Sequence, residues 1–565
     1  MWKLREIDHQ KVRKISEHFS FSKTVSQILV ARGYDTTEKV QKFITISLEQ
    51  LGSPFVMSGM TEACDRLCKA IAEKQNIMIH GDFDADGITS SALLTLFLRE
   101  IDVPVETFIP NRLDEGHGLA QRFIGLAIEK KVNLVITCDC GSSNEKEILQ
   151  LHEAGIDTIV TDHHHISKPI PHAIVVNPKL QHNDEEQPEE LSGVGVVFML
   201  LMGLRKKLRD ANFFKDVEPN LKKYLDIVAL GTIADMAPLI GHNRVLVTKG
   251  LEELQKSIRP GIVAMKEKAG IDSTQTFVAA DVGFRLAPRI NAATRLGYSM
   301  EAFEMMVSDH PLTVLHLSSK MEEWNASRKK IQSKMFDQCQ KEMSRQIELG
   351  YQVLVFASKD FHPGVIGLTA QKIASESLIP CFVFNVDGEI AKGSARCRSP
   401  FHLVNIMDGV KDLLGEFGGH SEAGGCRMKL GNLQEFTRRI QDIAKAQLSV
   451  SEKPALWIDA VIEPSDLSIS LIRDVQKLGP FGIGNPEPMF QSRLQVMGQP
   501  REVGQNHLQA TVLLPSGGTA KCIAFGKYNA WKTDFQGVVN LYYHLQENIW
   551  QGKSSISLQI QGFSR

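Results

Sequence analysis

The sequence predicts an α/β protein of several domains, and three observations carry that prediction. Between residues 76 and 176 short apolar runs alternate with helical stretches, the pattern of a parallel sheet covered on both faces. A second, glycine-rich α/β pattern starts near residue 350. Past residue 490, four or five short alternating runs follow in about 75 residues, which suggests a small barrel.

Taken in order, residues 1–50 read as polar helices that serve packing. Ser22 to Arg32 carries Val25, Ile28, Leu29 and Ala31, and Gly33 suits a helix end. An amphipathic helix spans 61–73. Strands are expected at 76–80, 104–109, 133–138, 156–161 and 173–176, separated by helices at 90–100, 119–130 and 144–154. Residues 180–190 (LQHNDEEQPEE) read as a charged surface loop. A helix from Leu221 to Leu230 runs into GTIADM at 231–236. Residues 245–345 read as mostly helical, and the polar, amphipathic stretch Ser318 to Gln346 as a helix connecting two lobes. In the second lobe, 351–358 and 381–386 read as strands around a helix at 367–376, with glycine-rich turns at 392–399 and 417–425. The turn-dense segment 480–486 marks a boundary before the barrel runs at 508–514, 521–525, 538–545 and 556–560. The expected division is 1–50, 51–245, 246–345, 346–452 and 453–565.

Composition narrows the partners. A chain of 565 residues exceeds one ordinary core. Its net charge of −2 gives no global basic field, so a polyanion has to bind a local patch. Nine scattered cysteines without a CxxC pair suit a reducing compartment. The first 19 residues carry Lys3, Arg5, Lys11, Arg13 and Lys14 and no apolar core, and no run of 18 apolar residues occurs. The expectation is a cytoplasmic protein with no signal peptide and no membrane span.

The chemistry gathers at the ends of the first sheet's strands. IHGDFDADGITS (79–90) places His80, Asp82, Asp84 and Asp86 within seven residues, on a strand, an acidic turn and a helix start. Carboxylates so close repel one another, and burial raises their pKa values unless a cation compensates. Strand 133–138 ends in Asp139, strand 156–161 ends in Asp162, His163, His164 and His165, and Asp235 follows the helix at 221–230. Open α/β sheets bind ligands at such strand ends. Mixed carboxylate and imidazole donors suit Mn²⁺ or Mg²⁺ better than Zn²⁺. The groups are too many for one ion, so two ions sharing a bridging carboxylate are expected. A surface acidic turn is the plainer alternative for the first stretch taken alone.

HGDFDADG, TCDCG (137–141), DHHH and GTIADMAPL together resemble the four motifs of the DHH phosphoesterases. FIPNRLDEGHGL (108–119), RINAATRLG (289–297), HPGVIGL (362–368), KGSARC (392–397), FGGHSEAGG (417–425) and LGPFGIGNPEPMF (478–490) narrow the resemblance to the RecJ family. It covers roughly residues 20 to 560. It implies a parallel-sheet DHH domain, a connecting helix, a DHH-associated (DHHA1) domain and an OB-fold barrel. It also implies single-strand-specific 5′→3′ exonuclease activity with two Mn²⁺ or Mg²⁺ ions, releasing 5′-mononucleotides in DNA repair and recombination.

By the same resemblance, His80 and Asp84 hold one ion, Asp86, His163 and Asp235 hold the other, and Asp139 bridges them. Asp82 and Asp162 orient ligands and water, His164 faces the scissile phosphate, and His165 is a packing or surface residue. Arg112, Ser394 and Arg396 grip the terminal 5′ phosphate, with the GGH turn Gly418, Gly419 and His420 facing the metal lobe. Arg289, Asn291 and Arg295 touch the strand's backbone. Phe525, Tyr528, Trp531 and Tyr543 in the barrel are candidates to stack on bases, against core packing for each. Single-stranded DNA is the expected partner, with a single-strand-binding protein and a helicase beside it and a monomer as the working form. The sequence departs from the family pattern at His117, Thr294 and Phe361, where Tyr, Gly and Trp are usual; no expected metal ligand is lost. Two other functions compete: a DHH phosphodiesterase or phosphatase acting on small nucleotides, and an inactive replication-fork scaffold.

Overall fold

The structure is a computed structural model of the chain. It describes all residues except 1, 167, 181–189, 216, 273–275, 399–400, 451–455, 516 and 551–552. Most of the expected loop at 180–190, and the boundary at 452/453, lie outside the described residues. Two compact units form. The larger comprises Leu51–Ala237 and Gly241–Pro454; the smaller comprises Met1–Gln50, Pro238–Ile240 and Ala455–Arg565.

The larger unit opens on five parallel strands: β1 (Ile77–Gly81), β2 (Val105–Phe108), β3 (Leu134–Cys138), β4 (Asp157–Thr161) and β5 (Ala173–Val176). Their order is β2-β1-β3-β4-β5. The strand order reverses between β1 and β3, which opens a crevice at their carboxyl ends. All five residues of β1 and of β3 are buried, as expected of central parallel strands covered on both faces.

Helix α1 (Ala85–Glu100) follows β1 directly. It starts five residues earlier than the apolar run at 90–100 suggests. The cause is Asp84, whose side chain accepts from the N–H groups of Asp86 at 2.9 Å and Gly87 at 3.1 Å and so caps the helix. The expected acidic turn is therefore a cap and a first helical turn. Helix α2 (Gly193–Asp210) and helix α3 (Leu225–Ala234) pack against α1, and the segment expected as a helix from 221 begins as a 3₁₀ turn, Leu221–Tyr224. Helix Gly241–Lys256 runs through residue 245. Helix α4 (Ala287–Arg295) leads toward α5 (Pro311–Glu348), which spans 38 residues and takes in the expected connecting helix.

The second lobe of this unit is a five-stranded mixed sheet. Its strands are β6 (Leu354–Ser358), β7 (Cys381–Asp387), β8 (Ile390–Arg396), β9 (Leu414–Gly419) and β10 (Ala423–Lys429), in the order β9-β10-β8-β7-β6. Only β6 and β7 pair in parallel, joined by helix α6 (Ile366–Ser377). Phe382 and Phe384 on one face meet Phe436 of helix α7 (Leu433–Val450) edge-on.

The smaller unit holds β11 (Phe490–Val503), β12 (His507–Leu513), β13 (Thr519–Ala524), β14 (Gly537–Trp550) and β15 (Lys553–Ser564). β11 pairs with both β12 and β14, so five strands close into a barrel in which only β13 and β15 run parallel. Closure removes the sheet edges. The N-terminal helices share the barrel's core: Ile15, Ile28, Leu29 and Val40 pack with Phe490, Val512, Leu541 and Tyr543. Arg32 clamps Asp459 through two bonds of 3.1 Å and reaches Asn485 at 3.0 Å. Residues 1–50 therefore belong to the barrel unit, a long-range association that no local pattern announces. Of the four barrel aromatics, Tyr543 is fully buried with its hydroxyl 2.7 Å from Ser492, Tyr528 and Trp531 pack against the core, and Phe525 is 53% exposed. Tyr543 is thus a core residue rather than a stacking one. Among the described residues, no helix is long and apolar enough to cross a membrane.

Candidate metal centre and phosphate grip

The strand ends of the first sheet and the end of α3 bring seven of the expected residues together. Three overlapping groups have ligand atoms within 4.8 Å of one another: Asp82, Asp84 and Asp139; Asp86, His163 and Asp235; and Asp139, His163 and His164. Asp86 lies in the first turn of α1 and accepts from two N–H groups at the start of α2, Gly193 at 2.7 Å and Val194 at 2.9 Å. Those amides are among the four that a helix start leaves unpaired. Small residues let the helices come this close. A Cβ on Gly193 would lie 2.4 Å from Asp139 Oδ1. A Cβ on Gly231 would lie 2.1 Å from Thr89 Oγ1.

The electrostatics of the cluster call for cations. Burial first, then Asp86, Asp84, Asp235 and Asp82, push the Asp139 carboxyl well above the usual carboxylate range. Burial and neighbouring carboxylates raise Asp86 to about 7 and Asp235 to about 9. Burial lowers His163 to about 4, so its imidazole is neutral and can donate a lone pair. His163 Nε2 and Asp139 Oδ1 lie 3.1 Å apart. Both are buried without a hydrogen-bond partner, as is Asp82 Oδ1. Electron-rich atoms turned toward each other in a dry site fit divalent cations, which satisfy them and offset the mutual repulsion.

His80 lies outside these three groups and Asp82 lies inside one of them. His80 is fully buried and joins none of the three groups. Side chains alternate along β1, so His80 shares a face with Met78, in the core that holds Phe108 and Phe123. Its ring lies 5.5 Å from Phe108 and 4.6 Å from Phe123. Nε2 accepts from the Ala120 N–H at 3.4 Å, and Nδ1 is 3.6 Å from Cys140 Sγ. Burial lowers its pKa to about 3. Both ring nitrogens are engaged away from the cluster, whereas Asp82, just past the strand end, turns into it. Alternation alone would put the two on one face; they part because the strand ends at Gly81 and the chain turns before Asp82.

Asp162 does not join a ligand group. It accepts from the N–H groups of Ser142 at 2.9 Å, His163 at 2.7 Å and His164 at 3.1 Å, and from His164 Nδ1 at 2.7 Å. Burial opposes ionisation of both partners, but the mutual hydrogen bond and charge outweigh it. Asp162 is driven below the usual carboxylate range and His164 is raised to about 9. His164 is thus a positioned imidazolium at neutral pH. His165 is exposed.

A second cluster, of the opposite sign, lies in the same unit. Burial and the charges of Arg112, Arg396 and Arg328 pull the Arg295 guanidinium far down. Arg396 is likewise lowered by burial and by Arg112. These side chains are held by neutral groups. Arg396 donates to Ser394 Oγ at 3.1 Å and to Ala395 O at 2.7 Å. Arg295 donates to Gly364 O at 3.2 Å. Arg328, on α5, donates to Asn325 at 2.6 Å and Gln332 at 3.3 Å, and Gln332 in turn reaches Leu368 O at 3.3 Å. Arg112 lies over the Phe83 ring at 4.6 Å. A Cβ on Gly367, in the first turn of α6, would lie 3.0 Å from Ser394 Oγ and 3.3 Å from Arg396 Nη2. Arg328 is the residue the sequence reading missed; nothing in the polar face of a 38-residue helix distinguishes it.

Other expected contacts fall elsewhere. Asn291 accepts from the Ala85 N–H at 3.2 Å and so steadies the acidic turn. Arg289 pairs with Glu322 at 2.7 Å and donates to Lys268 O at 3.2 Å, apart from the arginine cluster. Gly418, Gly419 and His420 are exposed, at the turn between β9 and β10. His117 fills the position where the family pattern has Tyr. Its ring is 4.3 Å from Phe83 and its Nδ1 is 3.3 Å from Asp82.

Comparison with known proteins agrees with this architecture. Residues 76–232 match the DHH family, N-terminal domain; 350–446 match the DHHA1 domain; 458–562 match the RecJ OB domain. The single-stranded-DNA-specific exonuclease RecJ of Dickeya dadantii is 34% identical over 525 residues, 90% of each chain. The protein of that name from Bacillus subtilis is 32% identical over 567 residues, 99% of this chain and 70% of the relative. The crystal structure of RecJ from Thermus thermophilus in complex with Mn²⁺ superposes with a TM-score of 0.83 at 28% identity, covering 100% of this chain and 79% of that one. By its domain order and by its identity of 32–34% over 90–99% of its own length, the chain belongs to the RecJ family of DHH proteins.

Proposed function

We propose that this protein is a metal-dependent exonuclease that degrades single-stranded DNA from its 5′ end and releases 5′-mononucleotides. One observation carries the reading: buried carboxylates and a neutral histidine with unpaired electron-rich atoms lie in the same unit as a cluster of arginines whose hydrogen bonds go to neutral groups. The first arrangement suits divalent cations and the second suits phosphate.

Asp82, Asp84 and Asp139 would hold one Mn²⁺ or Mg²⁺, and Asp86, His163 and Asp235 the other, with Asp139 shared. Bound there, such cations lower the pKa of water and neutralise charge on phosphoryl oxygens. The chain supplies the rest. The α2 amides fix Asp86, and Asn291 fixes the turn that presents Asp82 and Asp84. Asp162 holds His164 charged and oriented, so that its Nε2–H can donate to a phosphoryl oxygen or to the departing 3′ oxygen. Arg112, Arg295, Arg328 and Arg396 with Ser394 grip the terminal 5′ phosphate. A grip on a chain end, set beside the cleavage site, makes the enzyme count from that end. In the barrel, the exposed ring of Phe525 is the candidate to stack on a base.

The test is digestion of 5′-labelled single-stranded and duplex DNA with Mn²⁺, Mg²⁺ or EDTA. The expected result is release of labelled mononucleotide first, from the single strand only, with either ion and not with EDTA. Short oligonucleotides as first products, or turnover in EDTA, would refute it.

A further inference from the structure

One turn of the larger unit exposes an aromatic ring. Val282–Leu286 is a π-helical turn, a rare geometry that concentrates at functional sites. Val282 and Leu286 are fully buried, yet Phe284 between them is 83% exposed. The turn is braced from behind. Arg285 donates to Asp281 at 3.0 Å and to Ala269 O at 2.7 Å, and Arg289 donates to Arg285 O while pairing with Glu322. The turn lies against the end of α3. A Cβ on Gly283 would lie 3.8 Å from Ile233 Cγ2, at the end of α3. Two residues further on is Asp235, and its neighbour Met236 is 66% exposed. An exposed ring and an exposed thioether therefore stand on two packed elements next to a carboxylate of the metal cluster.

A phenylalanine ring offers only apolar surface and a π face. A ligand that brings flat, unpaired π faces to a site of phosphodiester chemistry is a nucleobase. We propose that Phe284 stacks on a base of the bound single strand, with Arg285 and Arg289 as positioning residues that hold its turn. This rests on the nuclease reading above, and it gives Arg289 a role other than touching the DNA backbone.

The probe is 5′-phosphorylated oligothymidylate bound to the full chain in EDTA. Phe284→Ala is expected to weaken binding about tenfold, in line with the loss of one stacked base, and Phe284→Tyr to restore it. With Mn²⁺, KM of Phe284→Ala should rise by the same factor at unchanged kcat. In Phe284→Trp, the added indole emission should be quenched by oligothymidylate and not by an abasic oligomer of equal length. Wild-type affinity in Phe284→Ala together with an unquenched Phe284→Trp would overturn the proposal, as would a loss confined to kcat. A wild-type chain that releases no nucleotide while Phe284→Trp is quenched would sink the nuclease reading and leave the stacking intact.

Discussion

The two charged clusters of the larger unit are built on opposite plans. The acidic one comes from the carboxyl ends of β1, β3 and β4, the first turn of α1 and the end of α3, so one sheet and the helices packed on it set its geometry. The basic one is collected from the loop after β2 and from α4, α5 and β8, in two lobes. In the acidic cluster, buried atoms are left without partners. In the basic one, every guanidinium rests on a carbonyl, an amide, a hydroxyl or a ring. The first is tense until cations arrive. The second is held in place by neutral groups, and its mutually repelling guanidiniums suit an anion. A nuclease that releases its product at each step needs this difference: ions that stay and a phosphate that leaves.

Removing the shared ligand should break the comparison most severely. Asp139→Ala is expected to lower the rate of cleavage about a thousandfold or more, the loss of several kcal/mol of transition-state stabilisation. Filter binding of single-stranded DNA in EDTA should stay near wild type. Gly193→Ala comes next. Its Cβ falls 2.4 Å from Asp139 Oδ1, and Mn²⁺ affinity should fall about 10–100-fold, as for other disturbances of ligand orientation. Titration with Mn²⁺ checks this.

Substitutions in the basic cluster should leave metal affinity alone. Arg396→Ala is expected to cost about tenfold or more in kcat/KM on a 5′-phosphorylated strand and far less on a 5′-hydroxyl strand, since charge-assisted bonds contribute about 1.5–3 kcal/mol. Arg328→Gln should show the same preference at about fivefold, the effect of roughly 1 kcal/mol from a charge acting at longer range. Equal losses on both ends would dissolve the distinction between the clusters.

The smallest effect is on stability. Asp86 and Asp235 are raised to about 7 and about 9 in the folded chain, against about 3.9 for an unfolded aspartate. Below about pH 6.5, His80 and His163, lowered to about 3 and about 4, work the other way; between about pH 6.5 and pH 9 the folded state binds more protons than the unfolded one, so stability without metal falls as pH rises. Thermal melts in EDTA should show a falling Tm across that window. Saturating Mn²⁺ should flatten the slope, because bound cations replace the protons.

How much of this was legible in the sequence follows from the range of the forces involved. The parallel sheet and its acidic ends could be read because apolar runs, followed at once by Asp or His, are local features. The cap at Asp84 was read as a turn because capping moves a helix start without changing the apolar pattern. His80 was assigned to an ion by the resemblance, and its packing against Phe108 and Phe123 is a contact between distant segments that the motif does not announce. Arg328, and the union of residues 1–50 with the barrel, were out of reach. Each depends on contacts between segments far apart in the chain, and a half-buried Arg on a polar helix looks like any surface cation.

The most direct test of the account is anomalous scattering from crystals of the full chain soaked in Mn²⁺. Two peaks are expected, one against Asp82 and Asp84 and one against Asp86, His163 and Asp235, with Asp139 between them and His80 untouched. A single peak, or a peak against His80 with Asp82 turned away, would contradict it.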